Sequence, residues 1–225
     1  MLGPEGAAEA LTALLVRDLP AKVDELGRRL NATRLARVDR ELLVPKTIEA
    51  FEVIDVAVDT MPAFLVVAQG MTRMRRVDLG TGDTYAGQSV YRVRYKLRVF
   101  TWARGRSGVD DPAKRGAQAD VNRKRLTLAV REVLLAGQEL TVTIGDTPEL
   151  DPEEEGYRAG TTVTGAIDET TITEALSDIV DDGAATVAAA YTELDIELDE
   201  AIPLTTPAPE AETVTTDVVP HPALA

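Results

Sequence analysis

Eight charged side chains recur at every second residue in two separate stretches. Arg92, Arg94, Lys96 and Arg98 alternate with Tyr91, Val93, Tyr95, Leu97 and Val99. Glu193, Asp195, Glu197 and Asp199 alternate with Leu194, Ile196 and Leu198. A strand has period two, so each stretch makes a strand with one apolar face and one face of a single charge sign. The chemistry this supports is ion pairing between guanidinium or ammonium groups and carboxylates. Four like charges in a row repel, and cross-strand pairs of opposite sign offset that at roughly 0.2–1 kcal/mol each. The two ladders can meet within one chain, with Arg92 near Asp199 and Arg98 near Glu193, or across a subunit boundary. The intramolecular version is favoured, because both strands need the same apolar core.

If the ladders are consumed internally, other charges become the interface candidates. Arg104 and Arg106 lie in a glycine-containing stretch read as a loop, and Asp151, Glu153, Glu154 and Glu155 in an acidic one. These loops are the candidate exposed contacts. Asp151–Glu155 lacks the alternating oxygen ligands and central glycine of a calcium loop.

Catalytic chemistry has little to work with. The single histidine is His221, near the end of the chain, and there is no cysteine. Ser-His-Asp catalysis, thiolate nucleophiles and cysteine metal sites are therefore not expected. Gly80-Thr81-Gly82 has no phosphate-binding continuation. The expectation is a protein that is not an enzyme and uses no cofactor or metal.

The net charge of −14 conceals a segregation. Residues 1–70 hold 8 basic and 11 acidic side chains, residues 71–131 hold 15 and 5, and residues 132–225 hold 1 and 22. A balance of +10 beside one of −21 calls for compensation within the chain, between copies, or by an anionic partner. Nucleic-acid binding through the basic 73–131 region is one such reading, and no recognition-helix or RNA-binding signature accompanies it. No apolar run approaches the roughly 20 residues of a membrane span, and the first ten residues have no leader pattern.

The elements that must position these charges follow from periodicity. Leu11, Leu14 and Leu15, then Val23, Leu26 and Leu30, predict helices over about 5–18 and 20–30, broken at Pro20. Residues 52–58 alternate weakly as a strand. Residues 63–68 form a short apolar strand, and the basic stretch 71–79 leads into the turn at Gly80–Asp83, as a hairpin or a neighbouring strand. The cationic strand spans about 89–102. Asp111-Pro112 starts a helix that runs to Ala136 and stops at Gly137, its basic first half exposed and its apolar second half on the sheet. Residues 139–144 read as a strand, 161–167 as a strand and 172–180 as a short helix. The last element, 184–199, has an alanine-rich start that is strand or helix. After Pro203 the composition is too poor in apolar residues to build a core.

These elements describe one α+β domain over residues 1–202, a mostly antiparallel sheet flanked by helices. It carries an acidic insertion at 145–183 and an extended or disordered C-terminal arm at 203–225. Their order resembles that of the tail terminator (tail completion) proteins of long-tailed bacteriophages. The resemblance rests on an N-terminal helix, short strands, the strand Val90–Phe100, the Ala/Arg/Leu-rich helix from Asp111 to Leu134, and the final strand Tyr191–Glu200. It covers roughly residues 5–144 and 184–200. The insertion and the arm are additions to that pattern. The resemblance implies a virion structural protein at the head-proximal end of the tail, made in the host cytoplasm. It implies a homo-oligomeric, hexameric ring that caps the tail tube, binds the tail tube protein and a head-completion or neck protein, and contacts DNA in its channel only passively. Head-completion and neck proteins share the pattern, so another head-tail connector component is the second expectation.

Overall fold

Alternation of apolar and charged residues builds the sheet, and one apolar stripe on each helix closes it. The computed structural model describes residues 3–33, 40–50, 57–77, 88–106, 111–145, 161–181 and 185–203. The predicted strand at 52–58 falls largely outside these residues, as do Asp151, Glu153, Glu154 and Glu155 and the arm beyond residue 203.

The elements in chain order are α1 (Gly3–Thr33), β1 (Thr47–Ala50), β2 (Ala63–Arg76), β3 (Gln88–Arg104), α2 (Pro112–Ala136), β4 (Glu139–Ile144), β5 (Thr161–Asp181) and β6 (Thr186–Pro203). The strands form one six-stranded sheet in the order β1-β2-β3-β6-β5-β4. β1 and β2 are parallel, and every other neighbouring pair is antiparallel. Both helices pack on one face, α1 against β2 and β4 and α2 against β3, β6 and β5. The protein is thus α+β, with two helices on a mostly antiparallel sheet.

The core lies between that face and the helices. Leu11, Leu14, Leu15, Phe64, Leu97, Leu126, Leu134 and Leu194 are fully buried there. At roughly 1.5–3 kcal/mol per buried side chain, this layer is the main stabilising term. It also explains the first departure from the sequence reading: α1 runs unbroken through Pro20. The stripe Leu15, Leu19, Val23 and Leu26 stays in phase across the proline and is buried. Burying four such residues outweighs the cost of about 3 kcal/mol for an interior proline. Pro20 itself is exposed, and Val16, whose carbonyl loses its partner, is 52% exposed and open to water.

α2 begins and ends where expected. Asp111 caps it, its side chain accepting from the Ala113 amide at 3.0 Å, and Gly137 closes it. Its basic half does not face solvent as predicted, however. Arg123 and Arg125 are each 5% exposed, while Lys114 and Lys124 remain outside. Arg123 donates to the carbonyls of Ser177 and Ala189 and pairs with Asp120, and Arg125 donates to Asn31 of α1 at 2.6 Å. A buried guanidinium persists when its donors find acceptors, and here two backbone carbonyls and Asp120 serve Arg123 while the Asn31 side-chain oxygen serves Arg125.

Two strand readings are corrected and one open alternative is resolved. The runs 63–68 and 71–79 form no hairpin. Residues 63–76 are one strand, β2, whose ladder shifts register between Ala68 and Gly70 and again between Met71 and Arg73, and residues 78–79 of the second run lie outside the described residues. Gly70, at φ +135°, supplies a conformation that side chains resist, so the strand bends there and continues. Residues 172–180 are strand rather than helix, because they pair with 187–193 and satisfy the second edge of β6. The alanine-rich start of β6 is strand for the same reason. The stretch 145–183 therefore contributes β5 to the sheet, between β6 and β4.

Candidate functional site

β3 and β6 bring the two charge ladders together within one chain. Arg92 stands opposite Asp199, Arg94 opposite Glu197, Lys96 opposite Asp195 and Arg98 opposite Glu193. The guanidinium of Arg92 donates to both Asp199 oxygens at 2.7 and 2.9 Å. Arg94 donates to Glu197 at 2.7 Å and also reaches Asp168 of β5 at 3.4 Å and Asp195 at 3.8 Å. Lys96 slips one pair diagonally to Glu193 at 2.7 Å, and Arg98 meets the other oxygen of that carboxylate at 2.6 Å. The ladder occupies the face of the sheet opposite the helices.

The pairing marks the titration of its members. The hydrogen bond from Lys96, then that from Arg98, holds the Glu193 carboxyl below the usual range. The hydrogen bonds to Asp199, Glu197 and Glu193 raise Arg92, Arg94 and Lys96 respectively. Asp168 is lowered chiefly by the Thr170 hydroxyl, which donates to it at 2.5 Å. That bond belongs to a bulge in β5, stapled by Thr171, whose hydroxyl donates to the Asp168 carbonyl and accepts from the Asp195 amide at 2.8 Å. Asp168 is the last residue in regular register before the bulge, opposite Asp195, and from there it reaches Arg94. It continues the alternation of the predicted strand 161–167 by one residue, which is the signal that could have found this extra carboxylate.

An aromatic patch adjoins the ladder. Phe100 stacks with Trp102 at 5.5 Å between ring centroids and lies 6.1 Å from Tyr191. The Arg98 guanidinium sits 4.4 Å from the Tyr191 ring centroid, a cation–π contact that tethers the end of the ladder.

Arg104 and Arg106, the other predicted residues that are described, are not gathered into this site. Arg104 is the last residue of β3 rather than a loop residue. It pairs with Val187, and its carbonyl accepts from Asn122 at 2.8 Å. Arg106 has an exposed side chain, and its amide donates to Gln118 at 2.8 Å.

What the ladder leaves over lies at the two lateral margins of the sheet. On β2, Arg73 and Arg75 stand opposite Arg94 and Arg92, so like charges face each other. The β3 arginines are already matched by acids, and among the described residues Arg73, Arg75 and Arg76 make no ion pair or hydrogen bond. On the far side, β5 carries Asp168, Glu169, Glu174, Asp178 and Asp181 and no basic residue. Glu174 and Asp181 hold Arg131 and Arg115 of α2, at 3.3 and 3.2 Å. The chain thus has a basic margin and an acidic margin on opposite sides of one sheet.

Among the described residues no group of His, Asp and Glu side chains is placed to hold a metal, and no helix is long and apolar enough to cross a membrane. A groove between α1 and the turn at Arg40–Leu43 is lined by Val23, Asp24, Arg40 and Leu43, with Arg40 ion-paired to Asp24. It holds no nucleophile–base arrangement. No known protein-family model matches the chain. No curated protein matches it either.

Proposed function

We propose that this protein is a virion structural component, a ring-forming tail terminator that caps the head-proximal end of a phage tail tube and offers the surface on which the head docks. The observation that carries the reading is the pair of unlike margins. A closed ring is built from a heterologous interface, in which one surface of each copy meets a different surface of the next. A basic margin and an acidic margin on opposite sides of one sheet satisfy that requirement. The element order that resembles the terminators is consistent with it, and the intramolecular pairing of the ladders leaves Arg73, Arg75 and Arg76 on one margin and a surplus of acids over bases on the other.

The same geometry weakens the nucleic-acid reading. Four cations of the 73–131 region are matched on β3, and Arg123 and Arg125 are buried. The free cationic surface is therefore smaller than the count of basic residues suggests.

The test is native mass by light scattering at low and high salt, with negative-stain images of the peak. Rings of about six copies at low salt that dissociate at high salt support the reading, because ions screen exposed charge pairs. A monomer under every condition, including in the presence of tail tubes, would sink it.

A further inference from the structure

The two margins carry more than opposite charge: each is an open strand edge. β1 pairs with β2 only at Ala63–Val66, and residues 71–76 beyond it are exposed. β4 pairs with β5 only at Thr161–Ala166, leaving the stretch from Asp168 to Asp181 without a neighbour on that side among the described residues. Open edges of this length present unpaired amides and carbonyls, which proteins either blunt or use. Exposed apolar residues collect at the same places. Of the eight large exposed apolar side chains among the described residues, Met71 and Met74 lie on the β2 edge and Leu176, Ile179 and Val180 on the β5 edge.

We infer that the interface between copies is strand addition, the β2 edge of one copy pairing antiparallel with the β5 edge of the next. Direction follows from the topology. β2, β3, β6 and β5 are antiparallel at each step, so β2 and β5 run in opposite directions. A second copy in the same orientation therefore sets β5 antiparallel to β2, and the alternation continues across the boundary. The stagger sets the offset between copies. The free part of β2 lies level with Tyr91–Lys96 of β3, and the free part of β5 lies level, through β6, with Lys96–Arg104. The open stretches are diagonally opposite, so the next copy is displaced along the strand direction to set them side by side, and β1 and β4 then lie beyond the two ends of the joint.

Side chains match across the joint. Met71 and Met74 stand opposite Tyr95 and Val93, on the helix side of the sheet. Leu176 and Ile179 stand opposite Ala190 and Ala188, on the same side. Joining the edges carries the apolar face over the boundary, and it sets Arg73, Arg75 and Arg76 against a strand with five acids and no base. Main-chain bonds supply contact and the side chains supply specificity, as in other strand additions. The inference deepens the ring reading and rests on it for closure.

The test uses two reversed variants of the full chain. Arg73→Glu/Arg75→Glu/Arg76→Glu makes the β2 edge acidic, and Glu169→Lys/Asp178→Lys/Val180→Lys makes the β5 edge basic once Asp168, Glu174 and Asp181 are counted with the arginines they hold. Circular dichroism and unfolding midpoints close to those of the unaltered protein establish that each folds. Alone, each variant is expected to run as a monomer by light scattering. Mixed in equal amounts, they are expected to reassemble, since each acidic edge again meets a basic one. Assembly retained by both single variants would overturn strand addition and leave the ring reading standing. Open filaments of unaltered protein that depend on both edges would uphold strand addition and overturn the ring. An unaltered protein that stays monomeric would overturn both, and would place the edge arginines as guards against aggregation.

Discussion

The hydroxyl of Tyr95 donates a hydrogen bond to the carboxylate of Glu200 at 2.5 Å, and both residues are buried on the helix side of the sheet. It joins the same two strands as the ladder, from the opposite face. Burial first, and the Glu200 carboxylate second, push the Tyr95 hydroxyl well above its ordinary range. An acid with a raised pKa in the folded state stabilises the fold fully below its unfolded value near 10, and that stability is lost as pH climbs further. We expect denaturant midpoints to fall above about pH 10. In Tyr95→Phe this alkaline slope is expected to shrink, and stability at neutral pH to drop by about 1–3 kcal/mol through loss of a donor to a buried carboxylate. An unchanged slope in the variant would count against the bond.

The ladder predicts the opposite behaviour in acid. Glu193 is held low by Lys96 and Arg98. A lowered carboxyl contributes stability above its unfolded pKa, near 4.3, and loses it as pH falls through the lower folded value. Urea unfolding at pH 7 and pH 3 is expected to show a smaller acid loss in Glu193→Gln than in the unaltered protein.

Arg94 is the most connected cation of the face, reaching Glu197, Asp168 and Asp195. Arg94→Glu sets a fourth carboxylate among three and is expected to cost about 2–4 kcal/mol. Adding Glu197→Arg restores one opposite pair, and recovery of at least half the loss is expected in equilibrium denaturation. No recovery would mean that packing, rather than pairing, dominates at Arg94.

Gly165 tests the β5–β6 contact. A methyl group at Gly165 would overlap the Glu197 carbonyl and come within 2.7 Å of the Leu198 side chain. Overpacking of this kind typically costs about 1–3 kcal/mol, and contact with backbone leaves little room to relax. Gly165→Ala is expected to lower the unfolding midpoint by several degrees. An unaffected midpoint would indicate that β5 moves freely away from β6.

Strand periodicity and helix punctuation were legible without coordinates. Asp111-Pro112 and Gly137 bound α2, residues 139–144 are β4, and the alternation of 91–99 and 193–199 identifies two strands that share a core and differ in sign. These are local properties, set by side-chain period, by the missing proline amide and by the freedom of glycine. Pro20 and Ile172–Val180 were misjudged because their outcome depends on partners distant in sequence. The stripe of α1 gains more from the sheet than Pro20 costs, and β6 needs a second neighbour whatever the propensity of residues 172–180. The buried positions of Arg123 and Arg125, the reach of Asp168 to Arg94 and the two open edges likewise exist only once six strands and two helices are in place. Amino-acid order determined which faces are charged; tertiary structure decided which of those charges are matched within the chain, because matching depends on register across strands about a hundred residues apart.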